Sequence, residues 1–145
     1  MPFERELDPD EKPRVLVVDD EGDISETVKF CLEQEGLEVM TAANGLEALG
    51  AVRAWLPHVV LLDVMMPGEN GYRVCRLVKE DQERGMLPPV TVLLVTARKL
   101  DDPEREQTFA EFSRADGVIY KPFDMDVLIA TVHERIAALL DRAAV

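Results

Sequence analysis

Four short apolar runs in this sequence end on residues able to handle a charged oxyanion. Asp19 and Asp20 follow the first, Asp63 the second, Thr96 the third and Lys121 the fourth. Three carboxylates gathered on one rim repel each other, which raises their pKa values and costs stability unless a cation sits among them. A hard, oxygen-seeking divalent ion meets that need, and Mg²⁺ is the usual choice where a phosphate completes the coordination. Lys121 adds a point positive charge and Thr96 a hydroxyl donor, both suited to a phosphoryl oxygen. Such a set is a minimal site for moving a phosphoryl group onto a carboxylate, chemistry in which positioning and charge neutralisation dominate.

These residues can meet only if the intervening chain folds as alternating strands and helices. Residues 15–18, 59–62, 90–95 and 118–120 are short β-branched or apolar runs, the pattern of strands buried on both faces. Residues 37–42 make a further strand, with Asn44 and Gly45 as a turn after it. Between the strands lie amphipathic stretches. Asp23 is placed to cap the first helix, whose apolar positions Ile24, Val28, Cys31 and Leu32 recur at helical spacing up to Gly36. Residues 46–54 and 72–84 form the next two, stopped by Pro57 and Gly85. Pro103 starts a fourth that runs to Ser113, and Asp124 opens a fifth carrying Leu128, Val132, Ile136 and Leu139 on one stripe. Five strands alternating with five helices imply an α/β fold: a parallel sheet with helices on both faces, joined by right-handed crossovers. In such sheets the ligand sits beyond the carboxyl ends of the strands, where the candidate residues stand.

With 145 residues the chain can bury roughly 70% of its unfolded surface, enough for one substantial core. Residues 14–142 are expected to be that domain, with no room for a separate output module. Residues 1–13 are charged, carry three prolines and lack periodicity, so they read as a flexible acidic arm. The chain holds 16 Lys plus Arg against 29 Asp plus Glu, a formal net charge of −13. That charge disfavours DNA and anionic lipid as direct partners. Two cysteines, no basic-apolar leader and no apolar run of about 18 residues point to the cytoplasm. No phosphate-binding glycine motif of a nucleotide site is present.

The sequence resembles the receiver domain of bacterial two-component response regulators over about residues 14–140. The resemblance rests on Val17-Val18-Asp19-Asp20-Glu21, Asp63-x-x-Met66-Pro67-x-x-x-Gly71, Thr96-Ala97 and Lys121-Pro122-Phe123, in that order. It implies a three-layer, doubly wound (βα)5 flavodoxin-like fold with strand order 2-1-3-4-5. Asp63 would be the phosphoacceptor. Mg²⁺, with Mn²⁺ as the alternative, would be held by Asp20 directly, by Asp19 largely through water, by Asp63, and by the backbone carbonyl of Met65. Thr96 and Lys121 would hold the phosphoryl oxygens, and Pro122 would follow a cis peptide bond. The implied function is a single-domain response regulator, not an enzyme beyond its own phosphotransfer and autodephosphorylation. Its partners would be a histidine kinase or histidine phosphotransferase and a downstream protein target, with the chain a monomer or a phosphorylation-dependent dimer. The alternatives are a hydrolase of haloacid-dehalogenase type, which would want an acid where Met65 stands, and a receiver-like binding module that is never phosphorylated.

Three positions depart from the family pattern. Val118 stands where the family usually places a mobile aromatic, and Tyr120, two residues on and on the same strand face, is the candidate to replace it. Arg114 stands in place of a common helix-ending glycine, so residues 98–116 are expected to differ in shape. Arg98 lies where the family tunes phosphoryl lifetime. Elsewhere simpler roles are expected: Cys31, Cys75, Trp55 and Met66 as packing residues, and His58 and His133 at the surface.

Overall fold

The computed structural model describes residue 7 and residues 10–66, 69–97 and 103–144, with the side chains of 69, 106 and 142–144 set aside. Most of the expected arm, together with Pro67, Gly68 and Arg98, therefore lies outside the described residues. Five strands, β1 (Arg14–Val18), β2 (Glu38–Ala42), β3 (Val59–Asp63), β4 (Thr91–Ala97) and β5 (Gly117–Lys121), pair in parallel in the order 2-1-3-4-5. The helices are α1 (Gly22–Gln34), α2 (Gly45–Trp55), α3 (Gly71–Glu83), α4 (Pro103–Ser113) and α5 (Met125–Ala144). A two-residue antiparallel ribbon, Met65–Met66 with Glu69–Asn70, crosses the loop after β3.

The period of two along each strand sorts the core into two layers. Leu16, Val18, Val60, Leu62, Val92 and Leu94 face one side and pack with Val52 of α2 and Val74, Cys75 and Val78 of α3. Their neighbours Val15, Val17, Val59, Leu61, Leu93 and Val95 face the other and pack with Val28 and Leu32 of α1 and Leu128, Val132 and Ile136 of α5. This is the three-layer α/β arrangement. Among the described residues, no helix is long and apolar enough to cross a membrane.

Local chemistry sets the helix boundaries, and in two places it differs from expectation. Asp23 does not cap α1. The N-cap is Glu21, which makes no side-chain cap, and its N–H is instead held by Asp19 Oδ1 at 2.8 Å. Asn44 and Gly45 do not make a free turn. Asn44 caps α2 by accepting from Glu47 N at 2.9 Å, while Glu47 Oε2 accepts from Ala43 N at 2.8 Å, a reciprocal arrangement of capping-box kind. Arg114 takes the left-handed conformation (φ 60°) that ends α4, the task Gly36 and Gly85 perform after α1 and α3.

His58 is the other correction, because it is buried. Its Nδ1 accepts from Arg14 N at 3.0 Å and its own N–H donates to Arg14 O at 2.8 Å, so it fastens the start of β3 to the start of β1. A polar ring is tolerated there because its acceptor has a main-chain donor. His133 is exposed, beside Glu35, as expected. Trp55 packs against the core edge under the Arg14 guanidinium.

Cys75 is fully buried, and burial pushes its thiol up to about 12, against smaller lowering effects from Ser113 and Lys79. Cys31 is half-buried. A thiol reagent at pH 8 is therefore expected to modify one cysteine per native chain, Cys31, and two after denaturation; two reactive thiols in the folded protein would contradict this packing.

Candidate active site

Parallel pairing brings the carboxyl ends of four strands to one rim. Val18 lies opposite Leu62, Asp63 opposite Val95, and Ala97 opposite Lys121, so the residues after β1 and at the ends of β3, β4 and β5 become neighbours. Asp19 and Asp63 are buried and Asp20 is exposed, yet carboxylate oxygens of all three lie within 4.8 Å of one another. Lys121 Nζ stands 3.5 Å from Asp63 Oδ2 and 3.6 Å from Asp19 Oδ2. The peptide bond from Lys121 to Pro122 is cis, as the family resemblance implied.

Each buried carboxylate is fixed in the same way. A backbone N–H two residues on donates to its Oδ1: Glu21 N to Asp19 at 2.8 Å and Met65 N to Asp63 at 3.0 Å. The Oδ2 atoms are thereby turned toward the ammonium. The chain after Asp63 is held by Val64 N donating to Val95 O at 3.1 Å and Gly71 N donating to Val64 O at 3.3 Å. At Gly71 a Cβ would sit 2.6 Å from Asp63 O and 2.7 Å from Val64 Cα, so only glycine lets α3 begin this close to the strand end.

Asp63 has a pKa above the ordinary carboxylate value. Burial is the main cause and Asp19 adds to it, while the Met65 N–H and Lys121 pull the other way. One ammonium against three carboxylates leaves the rim with a net negative charge that a divalent cation fits, since three oxygens from two chain segments already converge. Thr96 is buried at the same rim, its hydroxyl donating to Ala97 O at a long 3.3 Å, a bond easily exchanged for a better acceptor.

The structure brings together Asp19, Asp20, Asp63, Thr96 and Lys121, with Met65 in the loop and Met66 packed beneath it. Val118 and Tyr120 line a pocket of about 350 Å³ with Thr96, Leu94 and Tyr72, roofed by Pro103, Gln107 and Ala110 of α4. Sequence reasoning alone does not single out Tyr72. Its ring borders both this pocket and a groove beside Asp20 and Met65, and the only sequence signal is an aromatic directly after Gly71.

Residues 15–133 match the family model of the response regulator receiver domain. The DNA-binding response regulator MtrA of Mycobacterium tuberculosis (strain H37Rv) is 37% identical over 125 residues, covering 86% of this chain and 51% of that protein. Its counterpart in Mycolicibacterium smegmatis is 35% identical over 133 residues, covering 92% and 54%. The chain thus spans about half the length of the curated relatives it matches. Among solved structures, the BeF3-activated DrrB receiver domain superposes with TM-score 0.73 at 30% identity over 88% of this chain and 99% of that one. The chemotaxis protein CheY4 of Vibrio cholerae gives 0.74 at 27% identity over 86% and 98%. Agreement of sequence and fold along nearly the whole chain, with an acidic rim where such a sheet binds its ligand, means that this chain belongs to the response regulator receiver domain family, the phosphoacceptors of two-component signalling.

Proposed function

We propose that Asp63 is the residue phosphorylated, and that the chain is a switch whose output is protein association. The observation that carries the reading is the convergence of Asp19, Asp20 and Asp63 within 4.8 Å, opposite Lys121 at 3.5 Å. A carboxylate oxygen of Asp63 attacks the phosphorus of a phosphohistidine on a kinase or phosphotransferase. An O–P bond forms, the N–P bond breaks, and the imidazole leaves with the electron pair and takes a proton from solvent. Mg²⁺, or Mn²⁺ in its place, would be held by Asp19, Asp20, Asp63 and the Met65 carbonyl, and when bound it neutralises charge on the transferring group. Lys121 offsets the charge of the remaining phosphoryl oxygens, and Thr96 offers its hydroxyl to one of them. Met65, at 60% exposure, stands where a haloacid-dehalogenase-type hydrolase would carry its acid, which favours a stable acyl phosphate over turnover. The chain then acts as a phosphoacceptor and not as an enzyme on other substrates.

The setting that fits is the cytoplasm, with a histidine kinase or phosphotransferase upstream and a protein target downstream, as a monomer or a phosphorylation-dependent dimer. The MtrA relatives are DNA-binding proteins of which this chain covers about half; the −13 charge here argues against DNA contact by this domain itself.

The test is incubation with acetyl phosphate and Mg²⁺. Intact mass should show one phosphoryl adduct, and borohydride reduction followed by peptide mapping should place it at Asp63. An adduct elsewhere, or none while unrelated phosphate esters are hydrolysed, would defeat the reading.

Tyr120 takes the part of the family's mobile aromatic in this proposal. It is 40% exposed at the mouth of the pocket it shares with Thr96 and Val118. Attraction of Thr96 toward the phosphoryl group opens that pocket to the ring. Structures with and without beryllofluoride should show different Tyr120 rotamers; an identical rotamer with Thr96 displaced would remove Tyr120 from the switch.

A further inference from the structure

Strands β4 and β5 pair Leu94 with Val118 and Thr96 with Tyr120, and the period of two puts all four side chains on one face of the sheet. On α4, Pro103, Gln107 and Ala110 stand at i, i+4 and i+7, so a single stripe of the helix looks back at them. A stripe in that place normally carries bulky apolar side chains that fill the gap to the sheet. Here it carries a proline ring, an amide and a methyl group, and no described side chain of α4 joins either apolar cluster. The sheet offers only Leu94 and Val118 as its apolar floor. Low side-chain volume on both walls leaves the cavity of about 350 Å³ beside Thr96.

We infer that this cavity is a binding site for a small neutral aromatic molecule of two fused rings carrying one N–H or O–H, the indole or naphthol class. Size sets the first limit. An apolar cavity of about 150 Å³ accepts benzene, so this one has room for a second ring, and it lies at the small end of the roughly 300–1,000 Å³ of ordinary ligand pockets. Tyr72 and Tyr120 flank it, and offset or edge-on contact with two rings favours a flat π-system over an aliphatic chain. Tyr72 is braced for that contact by its stack on Phe109, with centroids 5.3 Å apart. Gln107 donates from Nε2 to Glu111 Oε1 at 3.2 Å, so its amide oxygen is the end that accepts from a ligand N–H. The Thr96 hydroxyl, bonded to Ala97 O at a long 3.3 Å, is the second polar contact. No Lys or Arg is among the described lining residues and the acidic rim adjoins Thr96, so a carboxylate-bearing ligand is repelled. The Tyr120 ring in its switched position and the ligand need the same space, so phosphorylation and ligand exclude each other. That competition rests on the reading of Asp63 as phosphoacceptor; the site does not.

The experiment is titration of the full, nitrogen-15-labelled chain with indole, followed by amide resonances. Shifts should saturate with a dissociation constant of about 0.1–1 mM, what a ligand of this size reaches at moderate efficiency, and should centre on residues 94–96, 107–110 and 118–120. Benzofuran, the isostere without an N–H, should bind about fivefold more weakly, and indole-3-acetate more weakly still. Val118→Phe fills the cavity from the sheet and Ala110→Leu from the helix; each should weaken indole at least about tenfold. If Val118→Phe does not fold, Ala110→Leu decides. Shifts that rise without saturating, shifts centred elsewhere, indole-3-acetate bound as tightly as indole, or folded filling variants that bind like the parent would overturn the site. With Mg²⁺ and beryllofluoride the affinity for indole should fall about tenfold, and an unchanged affinity would remove the competition. Fluorine resonances of bound beryllofluoride report separately on Asp63: their absence counts against the phosphoacceptor, while indole binding to the metal-free chain still decides the site.

Discussion

Asp63→Asn is expected to abolish the phosphoryl adduct outright and, in metal-free buffer at neutral pH, to stabilise the fold by roughly 1–2 kcal/mol, the low end of what is gained when a costly buried ionic cluster is made neutral. The amide keeps the shape and can still accept from Met65 N, while Lys121 keeps Asp19 as its partner. What is lost is a buried anion beside another anion. The pH dependence follows from the raised pKa of Asp63, which burial chiefly causes. A native group that holds its proton more tightly than the unfolded chain favours folding fully below the unfolded value, near 3.8, and loses that contribution as pH rises through the native pKa. The advantage of the asparagine variant should therefore be largest at neutral pH and shrink as pH falls toward the unfolded value. Mg²⁺ should reverse the ranking: at about 100 times its dissociation constant it stabilises the chain with Asp63 by roughly 2.7 kcal/mol, and the variant by much less. Denaturant melts at pH 4.5 and 7.5, with and without Mg²⁺, check all of this. A variant less stable than the parent in metal-free buffer at pH 7.5 would show that the cluster is not under electrostatic load.

Gly71→Ala is the second large effect, expected to cost about 3 kcal/mol as an overpacking change that strikes backbone and not a yielding side chain. The added methyl would lie 2.6 Å from Asp63 O and 2.7 Å from Val64 Cα, whereas Gly22 and Gly50 have nothing within 4 Å. Relief requires either α3 or the end of β3 to move, and movement of the acceptor by about 1 Å is enough to slow phosphotransfer about 100-fold. Chemical denaturation and the rate of adduct formation from acetyl phosphate measure the two consequences. Alanine at Gly22 provides the control, with the rate unchanged. A folded Gly71→Ala chain that reacts at the parent rate would mean that the contact at the start of α3 does not position Asp63.

The strands were readable because runs such as residues 15–18 and 59–62 are apolar on both faces, which only a covered parallel sheet can use. Asp19, Asp20, Asp63, Thr96 and Lys121 were readable because each interrupts such a run at its carboxyl end. The caps were harder. Asp23 looked like a cap, but Asp19 had already taken the Glu21 N–H, and a choice between two nearby acids depends on loop geometry. His58 looked like a surface residue because its partner is the main chain of Arg14, 44 positions away, and main-chain partners leave no trace in side-chain identity.

Residue order by itself determined which groups reach the rim, since alternation of period two and 3.6 fixes which faces are buried and parallel crossovers fix which ends coincide. It also determined that the rim would carry excess negative charge. Tertiary packing alone decided that Oδ2 of Asp19 and of Asp63 turn toward Lys121, that burial raises the Asp63 pKa, and that no described side chain of α4 joins either apolar cluster. Those properties depend on separations of a few ångströms between residues distant in the chain, and both electrostatic and dispersion energies change steeply over that range.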